Sequence, residues 1–255
     1  MAQGNSTVVP DASEGVPEFH NFTVDAALFR ELGERLVGRP HVALAELVKN
    51  AYDADASEVL IDFANDAITV TDNGHGMTRD EFLSFWMRVG TTHKQRDFRS
   101  RGLDRQVTGS KGVGRLSAQF LGDTLQLRTI ASGEQRIGVR ADVDWRGAKA
   151  AGDLIRAGAT VRNLVAPSAL ANRYKTGVQV RIGALKHEWG HKELQELARE
   201  LWFLRPPRAL HGDLGADDDF VVRLAGVSSE DAHAFHRSHR LECRGQVEWR
   251  SQPQW

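Results

Sequence analysis

Glu46, Asn50 and Asp53 stand at i, i+4 and i+7 in the run Ala43-Leu44-Ala45-Glu46-Leu47-Val48-Lys49-Asn50-Ala51-Tyr52-Asp53-Ala54. At about 100° per residue, that spacing stacks a carboxylate, a carboxamide and a second carboxylate along one side of a helix. Leu44, Leu47, Val48 and Ala51 fall on the opposite side. Neither acid has a basic residue at i+4, the partner that a solvated helix face would favour. A carboxamide oxygen suits Mg²⁺, which takes oxygen donors and keeps several waters and phosphate oxygens. A carboxylate one turn away could orient and deprotonate a water beside a phosphate. A plain amphipathic helix with a solvated polar face has the same pattern.

Two glycine-rich turns add to this set. Asp72-Asn73-Gly74-His75-Gly76-Met77 follows directly on a strand-like run. Gly74 and Gly76 allow positive φ and close approach of a ligand. Asp72 at the strand end could accept a hydrogen bond from the amino group of adenine. Asp-Asn-Gly is also a strong turn signal in any protein. Gly109-Ser110-Lys111-Gly112-Val113-Gly114 lies just before a short helix, where backbone amides bind phosphate. It is neither a Walker A loop nor a dinucleotide fingerprint, and a flexible hinge is the alternative. Around it, residues 91–115 hold seven Lys/Arg (Lys94, Arg96, Arg99, Arg101, Arg105, Lys111, Arg115) against two Asp. That concentration fits a lid over a triphosphate, a solvated surface loop or a small nucleic-acid contact. His187 and His191 are four apart, but no third ligand is evident and no metal site is assigned to them. Trp189 and Trp202 read as core or interface residues.

The elements that must position these groups follow from periodicity. A helix is predicted at Asp25–Val37 and another from about His41 to Ala54. Strands are expected at 58–63 and 67–71, joined as a hairpin. Thr78, with Glu81 at capping-box spacing, starts a helix expected over 79–88. A short helix near 114–120 is followed by strands at 124–130, 136–143, 159–165 and 177–183. A helix over 192–204 ends at Pro206-Pro207, and a last strand is expected at 220–224. Residues 1–20 read as a loose tail, 21–205 as one domain, and 206–255 as the start of a second region, with a further strand at 247–249 that looks cut off.

Bulk properties exclude several classes. The 255 residues are 41% hydrophobic and 26% charged, with a net charge of −1, so no global field favours nucleic acid or membrane. The single cysteine, Cys243, excludes an internal disulfide and a cysteine-based zinc site, which fits a cytoplasmic setting. No apolar run approaches membrane-spanning length.

Taken in order, Glu46-x-x-x-Asn50-Ala51-x-Asp53-Ala54, Asp72-x-Gly74-x-Gly76-Met77 and Gly109-x-x-Gly112-x-Gly114 resemble the three nucleotide boxes of the GHKL superfamily (gyrase, heat-shock-protein-90, histidine kinase and MutL). The resemblance covers about residues 25–185. Gly112–Ser117 and Phe120–Asp123 look most like bacterial heat-shock-protein-90 relatives and MORC ATPases. It implies an α+β Bergerat fold: a two-layer sandwich of a mixed sheet with helices on one face and an ATP lid. It implies Asp72 on adenine, with Gly74, Gly76 and Met77 lining the base. It implies Asn50 on Mg²⁺, Glu46 as general base, Asp53 beside them, and the Gly109, Ser110, Lys111, Gly112, Val113 and Gly114 segment on phosphate. Lys94 resembles the polar start of the lid.

The last box usually reads Gly-Thr-x-Val, whereas this chain has Gly177-Val178-Gln179-Val180, with Thr176 one place earlier as a candidate base contact. The downstream Lys or Arg that completes the site in many relatives is not identifiable. The reading implied is Mg²⁺-dependent ATP hydrolysis with lid closure and a homodimer in the ATP state. The alternatives are an ATP-gated dimerisation switch with negligible hydrolysis and a protein kinase of the same fold. A nucleic acid or client protein stays open as a further partner.

Overall fold

The computed structural model describes residues 38–64, 66–87, 99–105, 107, 117–133, 138–146, 159–164, 169–204 and 220–236. The helix expected at 25–37, Lys94, the Gly109–Gly114 segment and the strand expected at 247–249 lie outside them.

Helix α1 (Pro40–Asp53) starts with Pro40 in its first turn, where a missing N–H costs no helical bond. His41, Ala43, Leu44, Ala45, Leu47, Val48 and Ala51 are all buried, which surrounds the helix with protein on most sides. After Ala54 closes it, Asp55 takes a left-handed φ of 60° and turns the chain toward β1. Strands β1 (Glu58–Ala64) and β2 (Ala67–Asp72) form the expected antiparallel hairpin, in register from Val59 opposite Asp72 to Ala64 opposite Ala67. Asp66 in the turn has φ 52°, the left-handed geometry that tight hairpins need.

Helix α2 (Arg79–Glu81) has the capping box that its spacing predicts. The Glu81 amide donates to Thr78 Oγ1 (3.2 Å), and the Thr78 amide donates to Glu81 Oε2 (2.9 Å). It does not continue as an α-helix to 88. Residues Phe82–Trp86 form a π-helical turn, with Met87 N donating to Phe82 O at 3.0 Å. The wider turn accompanies stacking of the fully buried Phe82 ring on Trp86, with centroids 5.1 Å apart.

Helix α3 (Ser117–Leu121) leads into β3 (Gly122–Ile130), followed by β4 (Gly138–Asp144), β5 (Ala159–Leu164) and β6 (Gly177–Leu185). Helix α4 (His191–Leu201), a 3₁₀ turn (Trp202–Leu204), β7 (Val221–Ala225) and a helical stretch over 229–236, α5, complete the described elements. The strands form one mixed sheet in the order β5-β4-β3-β6-β2-β1-β7, antiparallel throughout except for the parallel β1–β7 pair. Strand β7 lies beyond the boundary expected at 206, yet it is the edge strand of this same sheet.

One face of the sheet buries Val59, Ile61, Ile68, Val70, Leu125, Leu127, Val139, Ala141, Val180 and Ile182 in a single core with α1, α3 and α4. The alternation of apolar and polar residues along these strands is what a sheet covered on one face requires. A small satellite cluster of Ile130, Leu170 and Tyr174 sits apart from that core. The result is the two-layer α+β sandwich that the resemblance implied.

Candidate functional site

Asp72 ends β2 on the core side of the sheet and is only 6% exposed. Its Oδ1 accepts two backbone N–H groups, from Gly74 at 2.9 Å and Val178 at 3.2 Å. Among the described residues, none donates to Oδ2. Burial pushes the Asp72 carboxyl up to about 6, against the pull of the two amides and the nearby His75. A carboxylate held on one oxygen by amides, in a dry setting, is suited to accept an N–H from a ligand on the other.

The backbone around Asp72 explains two glycines. Gly76 has φ +64°, and a Cβ there would overlap the Ile130 carbonyl. Gly177 has φ +123°, and a Cβ there would overlap the Asp72 carbonyl and come within 2.9 Å of its Oδ1. The Asp72 turn is also tied to α1 and β1. Asn73 Oδ1 accepts the Ser57 and Glu58 amides, both at 2.9 Å, and its Nδ2 donates to Ser57 Oγ at 2.8 Å. The His75 amide donates to Ala54 O at 3.0 Å, just past the C-terminal end of α1. The His75 bond joins the Asp72 turn to the end of the helix that carries Glu46, Asn50 and Asp53, and the Asn73 bonds join it to the start of β1.

Thr129 is the residue that the sequence reading missed. It lies opposite Val178, the position where the last box usually has threonine. Its Oγ1 accepts from Met77 N at 2.8 Å and donates to Gly177 O at 3.1 Å, and the residue is fully buried. One hydroxyl therefore ties the Gly76-Met77 turn to the strand that holds Asp72. The signal was present in β3, where the core-facing series Leu125, Leu127, Thr129 puts a hydroxyl at an apolar position, and a buried hydroxyl must find partners. Among the described residues, none hydrogen-bonds to the side chain of Thr176, which is half-buried directly before β6.

On α1, Glu46, Lys49, Asn50 and Asp53 form one half-buried strip beside the buried Leu47, Val48 and Ala51. None of the four is exposed, unlike the polar face of an ordinary surface helix. Glu46 has no basic residue at i+4, yet it does have a basic partner. Lys49 Nζ lies 2.8 Å from Glu46 Oε1, at i+3 rather than i+4. Both spacings lie on one helix face, and the i+4 test alone overlooked the nearer one.

The described part of the basic segment is anchored to α1 and α2. Arg105 is 6% exposed; its Nη1 donates to Tyr52 O (3.1 Å) and Ala56 O (2.6 Å), and its guanidinium lies 4.4 Å from the Tyr52 ring centroid. A cation on the last carbonyls of α1 also suits the helix dipole. The Asp55 carboxylate accepts the Gly102 and Leu103 amides at 2.7 and 3.1 Å. Arg101 pairs with Glu81 (2.8 Å) and Arg99 with Asp104 (2.7 Å). Two of the seven cations counted in the sequence, Arg101 and Arg105, thus hold the segment to the protein, and Arg99 braces it internally.

The histidines do other work. His187 stacks on Phe120, and His191 pairs with Asp231 at 2.8 Å, joining α4 to α5. Among the described residues, no group of three or more His, Cys, Asp or Glu side chains could hold a metal ion, and no helix is long and apolar enough to cross a membrane.

Comparison with known proteins bears on this arrangement. Residues 38–160 match the family model of histidine kinase-, DNA gyrase B- and HSP90-like ATPases. The chain is 32% identical over 124 residues to the chaperone protein HtpG of Escherichia coli strain K12, covering 39% of this chain and 20% of HtpG. It is 40% identical over 73 residues to the putative type II restriction enzyme HgiDII of Herpetosiphon aurantiacus, covering 28% of this chain and 12% of that protein. The chain thus spans a fifth or less of the length of these relatives. The matched stretch contains α1 with its polar strip, the Asp72 turn and Thr129. Over residues 38–160 the chain is thus similar to the nucleotide-binding domain of the GHKL superfamily.

Proposed function

We propose that this chain binds ATP with Mg²⁺ and hydrolyses it, using Asp72 to recognise adenine and Glu46 to activate water. The observation that carries the reading is the buried Asp72 carboxylate, held on one oxygen by Gly74 and Val178, linked through His75 to the end of α1 and through Asn73 to the start of β1. Asp72 would accept the adenine amino hydrogen, with Gly74, Gly76 and Met77 against the base and Thr176 near it. The half-buried Asn50 offers a side-chain oxygen of the hard, neutral kind that Mg²⁺ accepts; bound there, the ion would neutralise phosphate charge. Asp53 extends the same polar strip. Glu46 would hold the attacking water and take its proton, with Lys49 fixing the direction of its carboxylate. The Gly109, Ser110, Lys111, Gly112, Val113 and Gly114 amides and Lys94 would meet the phosphates. Lid closure and homodimerisation in the ATP state belong to the same reading.

One observation favours a second reading, an ATP-gated switch with negligible turnover: Lys49 already engages one Glu46 oxygen, which leaves only the other to take a proton from water. Isothermal titration with a non-hydrolysable ATP analogue and Mg²⁺, followed by steady-state phosphate release, separates the two. The hydrolase reading expects binding by wild type and by Glu46→Ala, with turnover lost only in the variant. Binding without turnover in wild type assigns the switch. Wild-type turnover that survives Glu46→Ala removes Glu46 from the mechanism.

A further inference from the structure

The face of the sheet turned away from the helices carries arginines in cross-strand register. Arg128 on β3 lies opposite Arg140 on β4, which lies opposite Arg162 on β5. One row along, Arg181 on β6 lies opposite Gln126, which lies opposite Asp142, with Thr160 beyond. Like charges directly opposite one another on a sheet are destabilising, so three in a row call for compensation.

Within the fold that compensation is partial. Asp142 takes the Arg140 guanidinium in a forked contact at 3.0–3.2 Å, and Asp144 takes Arg146 at 2.7 Å. Arg162 lowers the Asp142 carboxyl by its charge, without a hydrogen bond to it. Arg128 and Arg181 have no ion-pair partner among the described residues. The nearest further acid in these rows, Asp62, is separated from Arg181 by Thr69 on β2. Among the described residues, Arg128, Arg162 and Arg181 are thus left without a hydrogen-bonded acid, in a chain whose net charge is −1.

We infer that this face is a docking surface for the phosphate backbone of double-helical DNA, distinct from the nucleotide site on the other face. Arginine matches phosphate through two parallel N–H bonds. Between the arginines stand Thr124, Gln126, Thr160 and Gln179, neutral side chains of the kind that fix register on a backbone. A cavity of about 450 Å³ opens among them, lined in part by Arg181, Thr124 and Thr160 and by two acids, Asp142 and Asp144, which are paired with Arg140 and Arg146. Two neighbouring strand spacings set Arg128 and Arg162 about 10 Å apart, close to the width of a B-form major groove flanked by two backbones.

The composition of the face argues against other polyanions. A protein partner is usually anchored by buried aromatic or large aliphatic side chains. The two large hydrophobic residues exposed among the described residues, Leu83 and Leu103, are not on this sheet. Single strands are held by aromatic platforms, and these rows contain no aromatic ring.

The test is fluorescence anisotropy of a labelled DNA duplex with the full 255-residue chain, without nucleotide, over a salt series. The comparison is with the combined variant Arg128→Gln/Arg162→Gln/Arg181→Gln and with Arg199→Gln on α4. The expected result is wild-type binding with a steep salt dependence. The slope of log affinity against log salt should become shallower by about 0.9 for each phosphate contact removed in the triple variant, and Arg199→Gln should leave it unchanged. A thermal melt checks that the triple variant is folded. If it is not, each single variant should show a loss of about one contact. Absence of wild-type binding at low salt, or a triple variant that binds as wild type does, overturns the inference. Tighter binding of single-stranded DNA or of an RNA duplex overturns the choice of double-helical DNA. Displacement by polyglutamate as effective as by unlabelled duplex assigns the face to an acidic protein instead.

Discussion

Replacing Asp72 with Asn should make the protein more stable while abolishing nucleotide binding. Burial raises this carboxyl from 3.8 to about 6, so the folded state holds its proton more tightly than the unfolded chain does. Below about pH 4 the group is protonated in both states and contributes no difference. As pH rises from there through 6, the unfolded chain releases the proton first, and stability falls. At about 1.4 kcal/mol per unit, the ionised folded form is disfavoured by about 3 kcal/mol at pH 7. Asn is neutral at every pH, and its carbonyl oxygen can still accept the Gly74 and Val178 amides. The advantage of Asp72→Asn in urea denaturation should therefore grow from near zero at pH 4 to about 3 kcal/mol at pH 7, or roughly 6–12 °C in Tm for a chain of this size. The amide N–H₂ would then face the adenine amino group, donor against donor, and titration of the ATP analogue should show no heat of binding. A stability difference that does not change with pH, or a variant less stable than wild type at pH 7, would refute the reasoning.

Three further outcomes follow from the geometry. Thr129→Val leaves the Met77 amide and the Gly177 carbonyl without their buried partner, a loss of about 2 kcal/mol in urea denaturation, and Thr129→Ser should recover most of it. Arg105→Gln should cost about 2–3 kcal/mol, because a charged donor to Tyr52 O and Ala56 O is lost; Arg105→Lys should not restore the wild-type melt, since one ammonium cannot reproduce the planar fork over Tyr52. Gly177→Ala, with φ +123° and a Cβ driven into the Asp72 carbonyl, should lower stability by more than about 2 kcal/mol, and a wild-type melting temperature would contradict the packing described.

Much of this was legible in the residues themselves. The buried side of α1 follows from the spacing of Leu44, Leu47, Val48 and Ala51, and the Thr78–Glu81 box from a spacing of three. The hairpin follows from two β-branched runs around a short polar break. What was hidden depended on pairing across long separations. Thr129 meets Gly177 across 48 positions, and nothing local to either residue announces the register that brings β3 beside β6. Arg105 read as a lid cation because its partners, Tyr52 O and Ala56 O, are backbone groups about 50 positions away. The arginine ladder was invisible for the same reason, as its members come from separate strands with no shared motif. The π-helical turn at Phe82–Trp86 had no marker, since a stacked aromatic pair at i and i+4 also suits an α-helix.

The position of β6 has a consequence for how the chain is made. It pairs with β2 on one side and β3 on the other, yet it is the sixth strand in chain order. During synthesis, β2 and β3 must leave the ribosome with their facing edges unmatched, for the time needed to translate the residues up to Leu185. Open strand edges of that kind recruit other chains. The Val178 amide reaches Asp72 only when β6 arrives, so the pocket cannot form on a nascent chain that ends where the family match does. Slow elongation over residues 160–185 should therefore lower the soluble yield more than the same delay placed after residue 236.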